Sequence, residues 1–268
     1  MVPSNKRVDG YQKILIASDL HGPFLDRRCY KLFLNVVDDF CPDMIILNGD
    51  VADFSQISSH DRKIRMRGRE FQEEVGLDEE LFMIQTEIFR PLRLAAPTCK
   101  IIMRKGNHDV RWELIAETNR EALAQMMKTM RKNRSLYLED VLGLPRFKIE
   151  MDHRPIMRLT ESFTLIHGVK TNKMVAKANL LRFGSGTSGH THRMGTWTEI
   201  MHGQLQSWNE SGCLRTIDDI EYLPFGDKPD WANGFLDLRI NFSTGKFFCT
   251  PHFIIKNECE FHGKIYRV

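Results

Sequence analysis

Short apolar runs recur along the first two-thirds of the chain, and each stops abruptly at small or polar residues. Lys13-Ile14-Leu15-Ile16-Ala17, Met44-Ile45-Ile46-Leu47 and Ile101-Ile102-Met103 show no alternation, the pattern of strands buried on both faces. Between the first two, Tyr30, Phe33, Leu34, Val37 and Phe40 lie at helical spacing, so a helix is expected over Arg27–Phe40 before Pro42 restarts the chain. Right-handed crossover then makes the two strands parallel neighbours. A second helix is expected over Leu77–Leu94, with Leu81, Ile84, Ile88 and Leu92 on one side and Pro97 as a stop. A third, over Arg111–Lys132, offers Ile115, Leu123, Met126 and Met130 to the core.

From Arg146 the pattern changes. Strand-like segments come closely spaced at Arg146–Met151, Met157–Thr160 and Phe163–Ile166, followed by a short helix over Lys170–Leu181 bearing Lys170, Lys173 and Lys177. Residues 183–188 read as small and flexible. Gly195–Met201, Gln204–Trp208, Phe235–Ile240, Phe247–Ile255 and Lys264–Val268 alternate as strands do, with hairpin turns at Asn241–Gly245 and His262-Gly263. No internal repeat or linker divides the sequence, so one domain over 1–268 is expected, with 55–98 as a helical connection.

What the runs end in matters more than the runs themselves. Five segments terminate in Asp19-x-His21, Gly49-Asp50, Gly106-Asn107-His108-Asp109, His167-Gly168 and Gly189-His190-x-His192. Taken singly each is a weak to moderate signal, and an isolated Gly-Asp reads better as a plain turn. Together they matter, because open α/β sheets collect ligands beyond the carboxyl ends of their strands. The groups offered are carboxylate, imidazole and amide oxygen with no thiolate, which suits Mn, Fe or Zn better than Ca. More ligands are offered than one ion can use, so two divalent ions sharing a carboxylate is the economical arrangement.

Composition narrows the field without deciding it. With 268 residues, 42% hydrophobic and 27% charged, the chain suits neither a disordered nor a fibrous class. A net charge of +3 permits anionic substrates but does not demand nucleic acid. Cys29, Cys41, Cys99, Cys213, Cys249 and Cys259 are scattered without a Cys-x-x-Cys pair, as expected of reduced thiols in a cytoplasmic protein. Met1–Arg7 lacks the apolar core of a signal peptide and no run is long enough to span a bilayer, so no membrane is expected. The cluster Arg62, Lys63, Arg65, Arg67 and Arg69 reads as a solvated face, or more sharply as a phosphate-contacting arm. Lys128, Arg131, Lys132 and Arg134 read as surface, and His60, His153, His202, His252 and His262 match no motif and are expected at surface or satisfied positions.

The set Ser18-Asp19-Leu20-His21-Gly22, Gly49-Asp50, Gly106-Asn107-His108-Asp109, His167-Gly168 and Gly189-His190-Thr191-His192 resembles the calcineurin-like metallophosphoesterase family, in order and spacing over roughly residues 13 to 193. The resemblance implies an α/β fold of two β-sheets packed face to face with flanking helices, a four-layer α/β/β/α sandwich, the strand-rich tail supplying the second sheet. It implies that Asp19, His21 and His192 hold one metal, that Asn107, His167 and His190 hold another, and that Asp50 bridges. His108 would face the substrate. Two such ions generate hydroxide near neutral pH and clamp the phosphoryl oxygens for in-line displacement. His108 would assist the leaving oxygen, and Asp109 would fix its ring from behind. Asp53 and Arg111 are further supporting or phosphate-contacting candidates.

The resemblance also bears on the substrate. Ser/Thr protein phosphatases of this family place an arginine after the second aspartate of Gly-Asp-x-x-Asp, where this chain has Phe54. Asp109, rather than Glu, looks like the branch that holds nucleases, cyclic-nucleotide phosphodiesterases and nucleotide pyrophosphatases. A phosphodiesterase, with single- or double-stranded nucleic acid as a candidate substrate, is therefore expected ahead of a phosphomonoesterase or pyrophosphatase. A non-catalytic scaffold ranks last, since every ligand position is filled by a competent residue.

Overall fold

Strand β1 (Gln12–Ala17) runs parallel to β2 (Met44–Asn48), and α1 (Arg27–Phe40) is the crossover between them. The computed structural model describes residues 10–57, 75–119, 121–122, 125, 135–217 and 229–268. Helix α1 has the bounds expected from its spacing: the Asp26 side chain accepts from the Arg28 and Cys29 N–H groups at its start. It ends where Cys41 turns left-handed ahead of Pro42. Beyond β2 lie β3 (Lys100–Arg104) and β4 (Ile149–Asp152), both parallel. On the other flank β10 (Gly234–Ile240) pairs antiparallel with β1 and carries β11 (Phe247–Phe253) at the edge.

A second sheet has the order β5-β6-β7-β9-β8. Its strands are β5 (Ile156–Thr160), β6 (Phe163–Ile166), β7 (Gly186–Ser188), β8 (Met194–Met201) and β9 (Gln204–Ser211). A separate hairpin is formed by β12 (Glu258–Phe261) and β13 (Lys264–Arg267).

Period-two side-chain alternation turns these sheets into layers. Ile14, Ile16, Ile46 and Ile102 leave one face of the first sheet and meet Met157, Phe163 and Leu165 of the second in one apolar layer. Leu15, Ala17, Ile45, Leu47, Ile101 and Met103 leave the opposite face and pack with Leu32, Phe33, Val36 and Val37 of α1. Outside the second sheet, Trp208 packs with Ala176 and Leu180 of a further helix, over Val175–Phe183. The result is helix, sheet, sheet, helix, the four-layer α/β/β/α sandwich.

Several expectations need correction. The tail does not belong wholly to the second sheet: β8 and β9 join it, whereas β10 and β11 return to the first. The stretch 183–188 contains β7, buried in the middle of the second sheet; a side chain at Gly186 would stand 2.1 Å from the Thr164 carbonyl oxygen, so small residues here serve close packing, not flexibility. A 3₁₀ turn occupies Leu144–Phe147, so β4 starts later than expected, and β12 was not foreseen.

The helix over Leu77–Leu94 is present in three pieces: α2 (Leu77–Met83), a π-helical turn Ile84–Phe89 and α3 (Arg90–Ala95). Pro91 has no N–H to donate and its ring crowds the preceding turn, and the widened turn relieves this. Helix α4 (Val110–Thr118) stops where Asn119 leaves helical geometry and its side chain donates to Thr118 Oγ1. Glu121, Ala122 and Gln125 are helical again, α5 spans Leu138–Leu142, and the Val175–Phe183 helix, α6, begins after Lys170 and Lys173. Leu123, Met126, Met130, His60 and both basic clusters, Arg62–Arg69 and Lys128–Arg134, lie outside the described residues. Among described residues no helix is long and apolar enough to cross a membrane.

Candidate metal centre

Each of β1, β2, β3, β6 and β7 delivers polar side chains from the loop just past its carboxyl end. The loops are cross-tied by backbone bonds: Asp19 N–H donates to Gly49 O at 3.0 Å and His21 N–H to Asp50 O at 2.9 Å. To turn the side chains inward the backbone goes left-handed at non-glycine residues, with φ of 55° at Asp19, 48° at His21, 52° at Asp50, 70° at His190 and 57° at His192. Such residues cost about 1–3 kcal/mol each and persist where the surroundings over-determine them. Close approach also excludes side chains at two glycines: a Cβ on Gly106 would stand 2.1 Å from Asp50 Oδ1, and one on Gly189 would stand 2.0 Å from Ser18 Oγ.

All seven expected ligand residues come together. Three groups, Asp19/His21/His192, His21/Asp50/His108 and Asp50/His167/His190, each offer ligand atoms within 4.8 Å of one another. His167 Nε2 lies 3.1 Å from Asp50 Oδ2, and His192 Nε2 lies 3.2 Å from Asp19 Oδ1. Asn107 Oδ1 sits 2.7 Å from His190 Nδ1 and 3.2 Å from His167 Nε2. Two rings are committed at their rear nitrogens: His21 Nδ1 to Asp53 Oδ1 at 2.7 Å, and His167 Nδ1 to Asn48 O at 2.8 Å. That sets the tautomer and turns each Nε2 lone pair inward, as ligating histidines are set.

The donor set fits divalent cations. His21 Nε2 and His192 Nε2 face each other at 3.1 Å, and the buried His192 Nδ1 has no partner among the described residues. Asp19 and Asp50 are wholly buried carboxylates that need positive charge beside them. Burial pushes the Asp19 carboxyl up, and the His192 and His167 rings outweigh it and hold it at about 2. Burial pushes the His167 ring down, and Asp50 and Asp19 outweigh it, raising it to about 10. A proton on His167 thus does part of the neutralising that a cation would do better.

Asp53 is the pivot of the open side. It holds His21, and its Oδ1 also meets His108 Nδ1 at 3.0 Å. Burial pushes the His108 ring down, but the Asp53 hydrogen bond and the Asp50 charge leave it raised. His21 is instead pushed to about 4, first by burial, with His108 and Arg215 adding to it against the Asp53 bond. Arg111 Nη1 donates to Asp53 O at 2.9 Å and Nη2 lies 3.3 Å from His108 Nε2.

Asp109 does not back the His108 ring as expected. Its oxygens accept from Asp50 N–H at 2.7 Å, Ala52 N–H at 3.0 Å and Gly106 N–H at 2.8 Å, stapling the β2 and β3 loops together. Phe54 is wholly buried and packs on Trp112, with ring centroids 5.9 Å apart.

Three residues at the rim escaped sequence reasoning. The Trp231 ring stands edge-on to His192 with centroids 4.2 Å apart. The Arg215 guanidinium lies 4.8 Å from the Phe24 ring centre and 5.1 Å from that of Trp231. They come from loops far apart in sequence, so no local pattern marks them. Asn48 and Arg104 were also missed. The Arg104 guanidinium, 1% exposed, donates to Asn48 Oδ1 at 2.7 Å, and Asn48 in turn fixes His167. The only local sign was a polar residue closing each apolar run.

A family model described as calcineurin-like phosphoesterase matches residues 12–243. The chain is 26% identical over 244 residues to the Gene 54 protein of Mycobacterium phage D29, covering 86% of this chain and 89% of that one. To the Gene 54 protein of Mycobacterium phage L5 it is 23% identical over 269 residues, covering 96% and 99%. Among solved structures, wild-type Vps29 complexed with zinc from Entamoeba histolytica matches with a TM-score of 0.45 at 14% identity, covering 96% of this chain and 98% of that one. A predicted phosphoesterase from Streptococcus pneumoniae TIGR4 matches at 0.36 and 14%, covering 96% and 97%.

Proposed function

Because the chain belongs to the calcineurin-like phosphoesterase family, we propose that the strand-end centre hydrolyses phosphoesters with two divalent ions. Asp19, His21 and His192 would hold one ion and Asn107, His167 and His190 the other, with Asp50 as a further ligand. The observation that carries this reading is the set of imidazoles from separate loops turned onto one pair of buried carboxylates, with two of them, His21 and His167, fixed from behind. The oxygen-and-imidazole donor set favours Mn, and also accepts Fe or Zn. Bound there, such ions lower the pKa of water and offset charge on the phosphoryl oxygens.

The chain's own residues do the rest. His108, held through Nδ1 by Asp53, carries a proton on the substrate side and gives it to the leaving oxygen, and Asp53 stabilises the charged ring. Arg111, braced on the Asp53 carbonyl, contacts a non-bridging phosphoryl oxygen. Asp109 acts by holding the Asp50 and Gly106 loops in register.

The substrate is a phosphodiester. Phe54 fills with buried aromatic surface the position at which phosphoprotein phosphatases of the family carry arginine, which argues against a phosphoprotein. The rim formed by Arg215, Trp231 and Phe24 offers a cation and aromatic faces beside the phosphate position, suited to a nucleoside on one side of the diester. Nucleic acid, single- or double-stranded, is the favoured source. All six cysteines are free, which suits a reducing, cytoplasmic setting.

The test is a substrate panel with Mn: a phosphomonoester, a simple phosphodiester, cyclic nucleotides, a nucleotide pyrophosphate, and single- and double-stranded DNA. Diesters are expected to turn over faster than the monoester. Monoester preference would replace the diester reading with a phosphomonoesterase. Failure to hydrolyse any of them would leave a binding scaffold.

A further inference from the structure

The antiparallel half of the first sheet carries another group of metal-type side chains. Asp237 comes from β10, His252 from β11 and His262 from the turn between β12 and β13, and a ligand atom of each lies within 4.8 Å of the others. Asp237 and His252 are only 3% and 7% exposed, while the His262 side chain is half-exposed. The His252 ring is set as a ligand is set. Its Nδ1–H donates to the Glu260 carbonyl at 2.9 Å, and its buried Nε2 has no hydrogen-bond partner among the described residues. A buried ring nitrogen in that state forfeits a hydrogen bond, and the carbonyl behind it fixes the lone pair on Nε2. This differs from the satisfied position expected for a histidine outside every motif.

His262 completes the group from an unusual place. It has φ 50° and Gly263 has φ 78°, a two-residue turn in which Asn-Gly is the common pair. From there its Nε2 reaches Asp237 Oδ2 at 2.7 Å. Arg239 Nε also approaches both Asp237 oxygens at 3.2 Å. The carboxylate charge is therefore shared, which weakens the site for Mg or Ca and leaves two imidazoles as the main attraction.

We infer that Asp237, His252 and His262 form a binding site for an imidazole-preferring transition ion such as Zn²⁺, distinct from the strand-end centre, which ties the β12–β13 hairpin to the first sheet. Three protein ligands leave one position of the usual four for water. The pinned hairpin contributes Cys259, Phe261 and Tyr266 to the core under α1, so the ion acts on stability and not on turnover.

The test is a zinc count on the full chain after dialysis against micromolar Zn²⁺, for wild type, His262→Ala and His262→Gly. The glycine suits the turn and offers no ligand, and so separates loss of a ligand from loss of the turn. Each variant is expected to hold one zinc fewer than wild type, with phosphoesterase activity unchanged, and zinc should raise Tm more in wild type than in either variant. Equal zinc content in wild type and both variants overturns the proposal, and so does a lost equivalent accompanied by lost activity. The difference in count stands whether or not the strand-end centre proves catalytic.

Discussion

Two clusters of histidine and carboxylate draw on the first sheet, one shared with the second sheet and one with the β12–β13 hairpin, and they are built in opposite ways. The strand-end centre sits on loops past the carboxyl ends of parallel strands, where five of the residues proposed as ligands take left-handed backbone and glycines make room. The Asp237/His252/His262 group uses one residue from each of two paired strands, opposite Thr250 and Phe235 respectively, and one hairpin turn. In the first, the chain must bend sharply where each polar side chain turns inward, so glycine and that residue are neighbours in sequence and leave a motif. In the second, strand register does the assembling, and nothing local records it. The lesson is that a site on loops announces itself, whereas one on a sheet face does not.

The largest expected effect that sharpens this contrast is Asp50→Asn. It should lose on the order of 10³-fold in kcat/KM, with weaker metal retention at the strand ends and no change in the zinc held by His262. Steady-state kinetics with a metal count on the same samples reads both, and activity near wild type would remove Asp50 from the centre. Next, His108→Ala should cost roughly 10²-fold in kcat while both strand-end metals stay. Metal lost along with His108 would make it a ligand, contrary to the role given it by Asp53.

Asp53→Asn should follow at about 10-fold, since one carboxylate positions both His21 and His108. Its signature is an altered pH profile, because the bond that raises His108 is weakened; an unchanged profile would mean that Asp53 only braces the backbone.

The smallest effect is on stability. Burial raises Glu80 from 4.5 to about 7, against the pull of the Phe54 and Asp53 N–H groups that it accepts. Between those values the folded chain keeps a proton that the unfolded chain has lost, so stability falls as pH rises through that window and the contribution is gone above about pH 7. Glu80→Gln keeps an acceptor and removes the titration. Urea midpoints at pH 5 and pH 8 should converge for the variant and diverge for wild type, and parallel behaviour would discard the linkage.

Much of the fold was legible because burial on both faces leaves a continuous apolar run, as in β1, β2 and β3, and because α1 is amphipathic with a clean cap. The membership of β10 and β11 was not legible, since an alternating strand fits either sheet until its partner is known. The same limit hid β7, whose small residues read as loop although they are buried between β6 and β9.

The sequence by itself determined which side chains gather at the strand ends, since each of them is tied to a strand terminus by its immediate neighbours. Tertiary structure decided what each supporting group does: Asp53, and not Asp109, meets His108, while Asp109 staples the loops. It also decided that Arg215, Trp231 and Phe24 share a rim, and that His252 and His262 converge on Asp237. The physical reason is range. Backbone turns and burial patterns are written within a few residues, whereas a hydrogen-bond partner is chosen by whichever group the packed layers bring within about 3 Å.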